Sequence, residues 1–221
     1  KSYVALKDLP RAEKLARDQM KRDSDPRYAV DLGVVLRLAG EEDKARQQFE
    51  KVLRGMRPEQ NSIRQVANAF TRHNEHDLAL EAYQRGQRLL KDGPGFQFEI
   101  ANLYALKGDV PAMTSAYLDL LAVNEGYIQA VQNGLSRAID FTRRDAATEA
   151  LRTELLRRIQ RNPERSINQE LLIWMYIQQK DLDGAFVQCK ALDKRFDEGG
   201  TRLMDLAEIA LSNGEHATAM K

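Results

Sequence analysis

The sequence predicts an all-α solenoid of antiparallel helical hairpins. Three observations carry that expectation: a 34-residue recurrence of small and large apolar residues, apolar stripes at helical spacing, and prolines at four hairpin boundaries. Ala45, Ala79, Met113 and Ala147 follow one another at intervals of 34. Each is followed four residues later by a large apolar residue: Phe49, Tyr83, Tyr117 and Leu151. Upstream lie Gly33 with Leu36, Ala67 with Phe70, Ala101 with Tyr104, and Leu135 with Ala138, in the same rhythm. The interval of 34 also links Ala185 to Ala219, whereas 38 separates Ala147 from Ala185. That excess of four predicts an insertion of about one helical turn near residues 148–165.

Each segment has a side to bury. Leu32, Val35, Leu36 and Ala39 fall on one helical stripe, as do Val66, Ala67 and Phe70. Small residues let two helices approach, and their large neighbours fill the space beside the contact. Asp25-Pro26, Arg57-Pro58, Gly93-Pro94 and Asn162-Pro163 mark the boundaries, since proline is barred from helix interiors and biases its predecessor away from helix. β-branched residues are scattered singly without alternation, which predicts no strands. The whole chain, 1–221, then reads as a single array of about six hairpins, the first and last incomplete. Residues 8–24 read as the second helix of the first, and the stripe of Leu203, Leu206, Ala207 and Ala210 in the last is expected to be partly uncovered.

These residues resemble the tetratricopeptide-repeat (TPR) family. Its repeats carry a small residue at position 8, a large one at 11, small ones at 15 and 20 and an aromatic at 24. Residues 31–49 meet nearly all of these, with Gly40 at the tight interhelical turn. The resemblance is strong for repeats beginning near Pro26, Gln60 and Pro94, weaker over 127–162, and recovers over 166–196. It implies a right-handed superhelix whose first helices line a concave groove that binds another protein or peptide. The divergence of the repeats is similar to that of bacterial envelope-associated members, which points to periplasm or cell envelope, with cytoplasm the alternative.

Composition narrows the partners. With 43% hydrophobic and 30% charged residues, the chain has material for a core and is not disordered. Thirty-four Lys and Arg against thirty-three Asp and Glu leave +1, so no global field draws nucleic acid or an anionic membrane. No apolar run reaches the roughly 18 residues of a membrane span, and the chain is expected to be soluble. A single cysteine, Cys189, excludes an internal disulfide and a multi-cysteine metal site.

No catalytic constellation emerges, and no enzyme activity, metal or cofactor is expected. His73 and His76 beside carboxylates supply too few imidazoles for a zinc site. His76 falls in register with Val110, Leu182 and His216, which assigns it to the interhelical turn. Cys189 occupies the slot of Phe49 and Tyr83, where a buried structural thiol is expected. Gly93-Pro94-Gly95 lacks the strand and spacing of a phosphate loop.

Two surfaces remain. Asn68, Asn102 and Ser136, spaced by 34, are expected to form a polar line that pairs with the backbone of an extended peptide. Arg64 and Arg72 would add charge, Phe98 an apolar anchor, and Trp174 a large amphipathic ring at the end of the line. The family's chaperone-tail subclass, which grips a terminal carboxylate with Lys and Asn, is not matched: its positions hold Val30 and Val34, Arg64 and Asn68, then Phe98 and Asn102. The second surface is arginine-rich. Eight arginines and no lysine stand among five carboxylates between Arg137 and Arg165. Arg152, Arg157, Arg158 and Arg161 read either as a solvated helix back or as a patch for an acidic partner; the absence of interleaved aromatics disfavours nucleic acid. A binding scaffold is therefore the leading reading. An architectural segment of a larger assembly, without its own peptide ligand, is the alternative.

Overall fold

The computed structural model describes residues 8–90 and 95–220. Gly93 and Pro94 lie outside the described residues. Among those described, the chain is all-helical without a strand. It divides into two compact units, one ending at Phe96 and the other beginning at Gln97. The first holds α1 (Leu9–Arg22), α2 (Pro26–Leu38), α3 (Glu42–Arg54), α4 (Gln60–Thr71) and α5 (His76–Leu90). The second holds α6 (Gln97–Lys107), α7 (Val110–Val123), α8 (Ile128–Ala138), α9 (Ala146–Arg161), α10 (Ile167–Gln178), α11 (Leu182–Phe196), α12 (Thr201–Ser212) and α13 (His216–Ala219). A 3-10 turn, Glu125–Tyr127, precedes α8. In the first unit α2 packs on α3 and α4, and α5 on α3 and α4.

One turn recurs in five hairpins, and its chemistry explains why the helices stop and restart there. Gly40, Asn74, Gly108, Lys180 and Gly214 all adopt positive φ, between 56° and 81°. The residue after each donates its amide to a carbonyl five residues back: Glu41 to Leu36, Glu75 to Phe70, Asp109 to Tyr104, Asp181 to Tyr176 and Glu215 to Ala210. This is the Schellman arrangement, which satisfies carbonyls at a helix end through one left-handed residue. The acid then begins the next helix, placing negative charge at its N-terminus. Asp109 accepts from the Ala112 amide at 3.1 Å and Asp181 from the Gly184 amide at 2.9 Å. Consequently His76, Val110, Leu182 and His216 do not sit in the turn as expected but open α5, α7, α11 and α13.

The helix contacts follow the small-to-large logic. Ala45, Ala67 and Ala79 are fully buried. A methyl added at Gly33 would come within 2.2 Å of the Phe49 ring, so α2 and α3 touch where no side chain fits between them. Phe49 in turn meets Phe70 edge-on at 5.6 Å. In the second unit Ile173, Leu182, Ala185, Cys189, Leu192, Leu206 and Ala210 form one continuous core. Leu203 and Ala207 are half-buried, while Met204 beside them is exposed.

α9 runs unbroken from Ala146 to Arg161 and, at 16 residues, is the longest helix among the described residues. The α8–α9 connection, 139–145, is a longer loop in place of the left-handed turn. Leu151 and Leu155, each 34 residues before Ala185 and Cys189, are fully buried, whereas Ala147 is half-buried. Leu151 thus stands where Ala45, Ala79 and Ala185 stand in other hairpins, and a leucine there keeps helices further apart than an alanine does. α9 packs mainly on α7 and α10 instead of on α8, and buried Ile139 and Phe141 from the loop add to the core.

Candidate partner-binding faces

In the first unit, Arg64, Asn68 and Arg72 succeed one another at four-residue intervals on α4 and its C-cap, so they share one side of the helix. Asn68 is exposed, and its side-chain amide has no hydrogen-bond partner among the described residues. Arg72 is also exposed; its Nε donates to the Asn68 carbonyl at 3.3 Å, which holds the guanidinium beside the amide. Arg64 is held more closely: its Nη1 donates to Gln60 Oε1 at 3.2 Å and its guanidinium lies 5.4 Å from the centre of the Phe96 ring.

Five residues that the sequence did not single out as partner-binding groups complete this face. Arg27, Tyr28 and Asp31 of α2, with Ala69, Arg72 and His73, line a cleft of about 240 Å³. His73 Nε2 meets Asp31 Oδ1 at 2.7 Å and joins the two helices across it. Arg27 Nε donates to Asp25 Oδ2 at 2.7 Å, and that bond favours the charged guanidinium. The signal was present in the repeat register: Asp31 lies on the first turn and a half of α2, and His73 follows the end of α4, the next first helix. His73 drew notice only as a metal candidate, and its partner is one carboxylate.

In the second unit the expected groove residues are largely engaged with their own chain. The Tyr117 hydroxyl donates to Asn102 Oδ1 at 2.9 Å, and Phe98, one turn before Asn102 on α6, lies with its ring 6.1 Å from that of Tyr117. Burial pushes the Tyr117 hydroxyl above its ordinary pKa, keeping it a neutral donor. Trp174 is half-buried, and Phe141 meets it edge-on at 5.1 Å. Ser136 is exposed on α8. Asn68 thus stands in one unit, and Asn102, Ser136 and Trp174 in the other.

The arginine-rich helix α9 is mostly neutralised internally. Arg158 donates to Asp119 at 2.7 Å and to Glu154 at 2.8 Å; Arg157 Nε also reaches Glu154, at 2.7 Å. The Arg157 bond leads the effects that hold Glu154 below the ordinary carboxylate range. Arg152 lies 3.7 Å from Glu149. Of the four expected patch residues, only Arg161 pairs with no carboxylate among the described residues. A helix whose cations already hold carboxylates offers an acidic partner little net attraction.

Cys189 is buried, and desolvation pushes its thiol up to about 11, so it lacks the thiolate character of a nucleophile. Among the described residues no group of three or more His, Cys, Asp or Glu is placed to hold a metal, and no helix is long and apolar enough to cross a membrane. Compared with protein-family models and with curated proteins, the chain matches none.

Proposed function

We propose that the chain is a TPR-type interaction scaffold, a right-handed array that binds an extended peptide or protein segment on the exposed face of α2 and α4. The observation that carries this reading is the pairing of Asn68 and Arg72. Both are exposed, one turn apart, and directed to the side of α4 that also borders the cleft. An amide without an internal partner offers a donor and an acceptor to a passing backbone, and a guanidinium offers a fork to an acidic group. The turns at Gly40, Asn74 and Gly108, and those at Lys180 and Gly214, are spaced by 34 residues within each set, which supports the family reading.

A second reading applies to the second unit. There Tyr117 occupies Asn102 and Phe141 occupies Trp174, so the equivalent surface is filled from within. This favours an architectural role for that unit, with peptide binding confined to the first. The test is photo-crosslinking. A peptide selected from a display library against the whole chain is offered to variants carrying a benzoyl-phenylalanine in place of Asn68 or of Arg46, which is exposed on α3. Crosslinking from position 68 and none from position 46 is the expected outcome; the reverse pattern rejects the face.

A further inference from the structure

α12 carries more apolar surface than its neighbours cover. Leu206 and Ala210 turn into the core against α11, and that contact accounts for one side of the helix. Gly200, Leu203, Met204, Ala207 and Leu211 follow one another at intervals of one, three and four residues and form a second stripe beside it. Leu203, Met204 and Ala207 line a cleft of about 360 Å³ with Phe186 of α11 and Ala219 of α13. Met204 is 67% exposed and Leu211 54%. A surface helix needs one apolar stripe, and a second one is a face for another element to cover.

The charges beside the stripe indicate what covers it. Asp193 Oδ1 accepts from the Gly200 amide at 2.6 Å and pins the end of α11 to the start of α12. Lys190, one turn earlier on α11, therefore borders the stripe beside Leu203 and Met204, which line the same cleft. Glu208 lies on the other border, one turn beyond Met204 and turned away from buried Leu206 and Ala210. Both are exposed, and neither has an ion-pair partner among the described residues. Asp193 is engaged with the Gly200 amide, and Arg202 with Glu170 and Glu198.

A cation on one border of an apolar stripe and an anion on the other make the face self-complementary. Rotation about a two-fold axis through the stripe exchanges its borders, so Lys190 of each copy meets Glu208 of the other. The antiparallel stripes then cross with Met204 against Leu211. A two-fold axis makes both charge pairs and covers both stripes, whereas a head-to-tail contact leaves one stripe open.

We propose that the α11–α12 face is a docking surface for a second copy of this chain, packed stripe to stripe about a two-fold axis with Lys190 and Glu208 joined across it. The inference is independent of the peptide-binding reading, whose residues Asn68 and Arg72 lie in the first unit.

The experiment is sedimentation equilibrium of the full chain over about a hundredfold range of concentration, where a two-fold contact appears as a mass rising from one chain towards two and no further. Met204→Glu and Leu211→Glu each place a carboxylate on the stripe at an exposed position, with helicity and melting temperature as folding controls. Each is expected to hold the chain as a monomer throughout the range. Lys190→Glu alone, or Glu208→Lys alone, sets like charges together at both ends of the contact and should weaken the dimer about tenfold. Combining the two exchanges the borders and should restore native association. A native chain that stays monomeric at every concentration overturns the proposal and leaves the face to a different protein. A dimer that survives both stripe variants, or a double charge variant no tighter than the single ones, overturns it as well.

Discussion

The Tyr117 hydroxyl donates to Asn102 Oδ1 at 2.9 Å, tying the second helix of a hairpin to the first at the position where a ligand-facing amide was expected. Tyr117 is buried, and its oxygen lies so near Gly134 that a methyl there would come within 2.2 Å of it. Tyr117→Phe is therefore expected to lower stability by about 1 kcal/mol, the net worth of one hydrogen bond. Urea unfolding monitored by far-UV circular dichroism measures it. An unchanged midpoint would mean that Asn102 finds equivalent partners in water.

Phe141 stands edge-on to Trp174 at 5.1 Å, and Trp174 is the only tryptophan in the chain. Removing the ring by Phe141→Ala should cost about 3 kcal/mol, as buried phenylalanine deletions do. It should also shift the emission of the folded protein to the red, because water reaches the indole. A blue or unshifted spectrum would show that the 139–145 loop does not cover Trp174.

Lys180 holds φ at 56°, at the turn position that Gly40, Gly108 and Gly214 occupy in other hairpins. A side chain with a β-carbon is strained in this region and glycine is not. Lys180→Gly is expected to raise stability by roughly 0.5 kcal/mol, after the extra unfolded-state entropy of glycine is subtracted. Thermal melts of the variant and the native chain decide its sign.

Cys189 ties stability to alkaline pH. Its thiol is held protonated up to about 11 by burial, against 9.0 for an unperturbed group. Between those values the unfolded chain gives up the proton and the folded chain keeps it, so the unfolded state gains and stability falls as pH rises from 9.0 towards about 11. Cys189→Ala should flatten that part of the stability profile. In the native chain at pH 8, Ellman's reagent should find no reactive thiol until denaturant is added.

Much of the all-helical fold was legible because close helix contacts leave a periodic mark in the sequence. Ala45, Ala79 and Ala185 marked close helix contacts, and all three are fully buried. The acids Glu41, Glu75, Asp109, Asp181 and Glu215 carried a second periodic signal, since each follows the left-handed residue and starts a helix. A 38-residue spacing locates an excess only between its two markers, and only packing distinguishes half-buried Ala147 from fully buried Leu151, which lies 34 residues before Ala185. The candidate groove residues were legible as positions and not as contacts, for a related reason. Register places Asn68 and Asn102 alike, but it does not reveal that Tyr117 reaches the side chain of Asn102, whereas that of Asn68 has no hydrogen-bond partner among the described residues. The charge of α9 was likewise overstated, because Asp119 lies on another helix and is 39 residues from the arginine it neutralises.

The measurement that bears most directly on the central claim is titration of a display-selected peptide against three forms of the chain: native, Asn68→Ala, and Arg157→Ala with Arg161→Ala. Loss of the exposed amide is expected to weaken binding about tenfold without loss of helicity, while the α9 double variant binds as the native chain does. Undiminished binding to Asn68→Ala, with binding lost on removal of the two arginines, would contradict the account and move the site to α9.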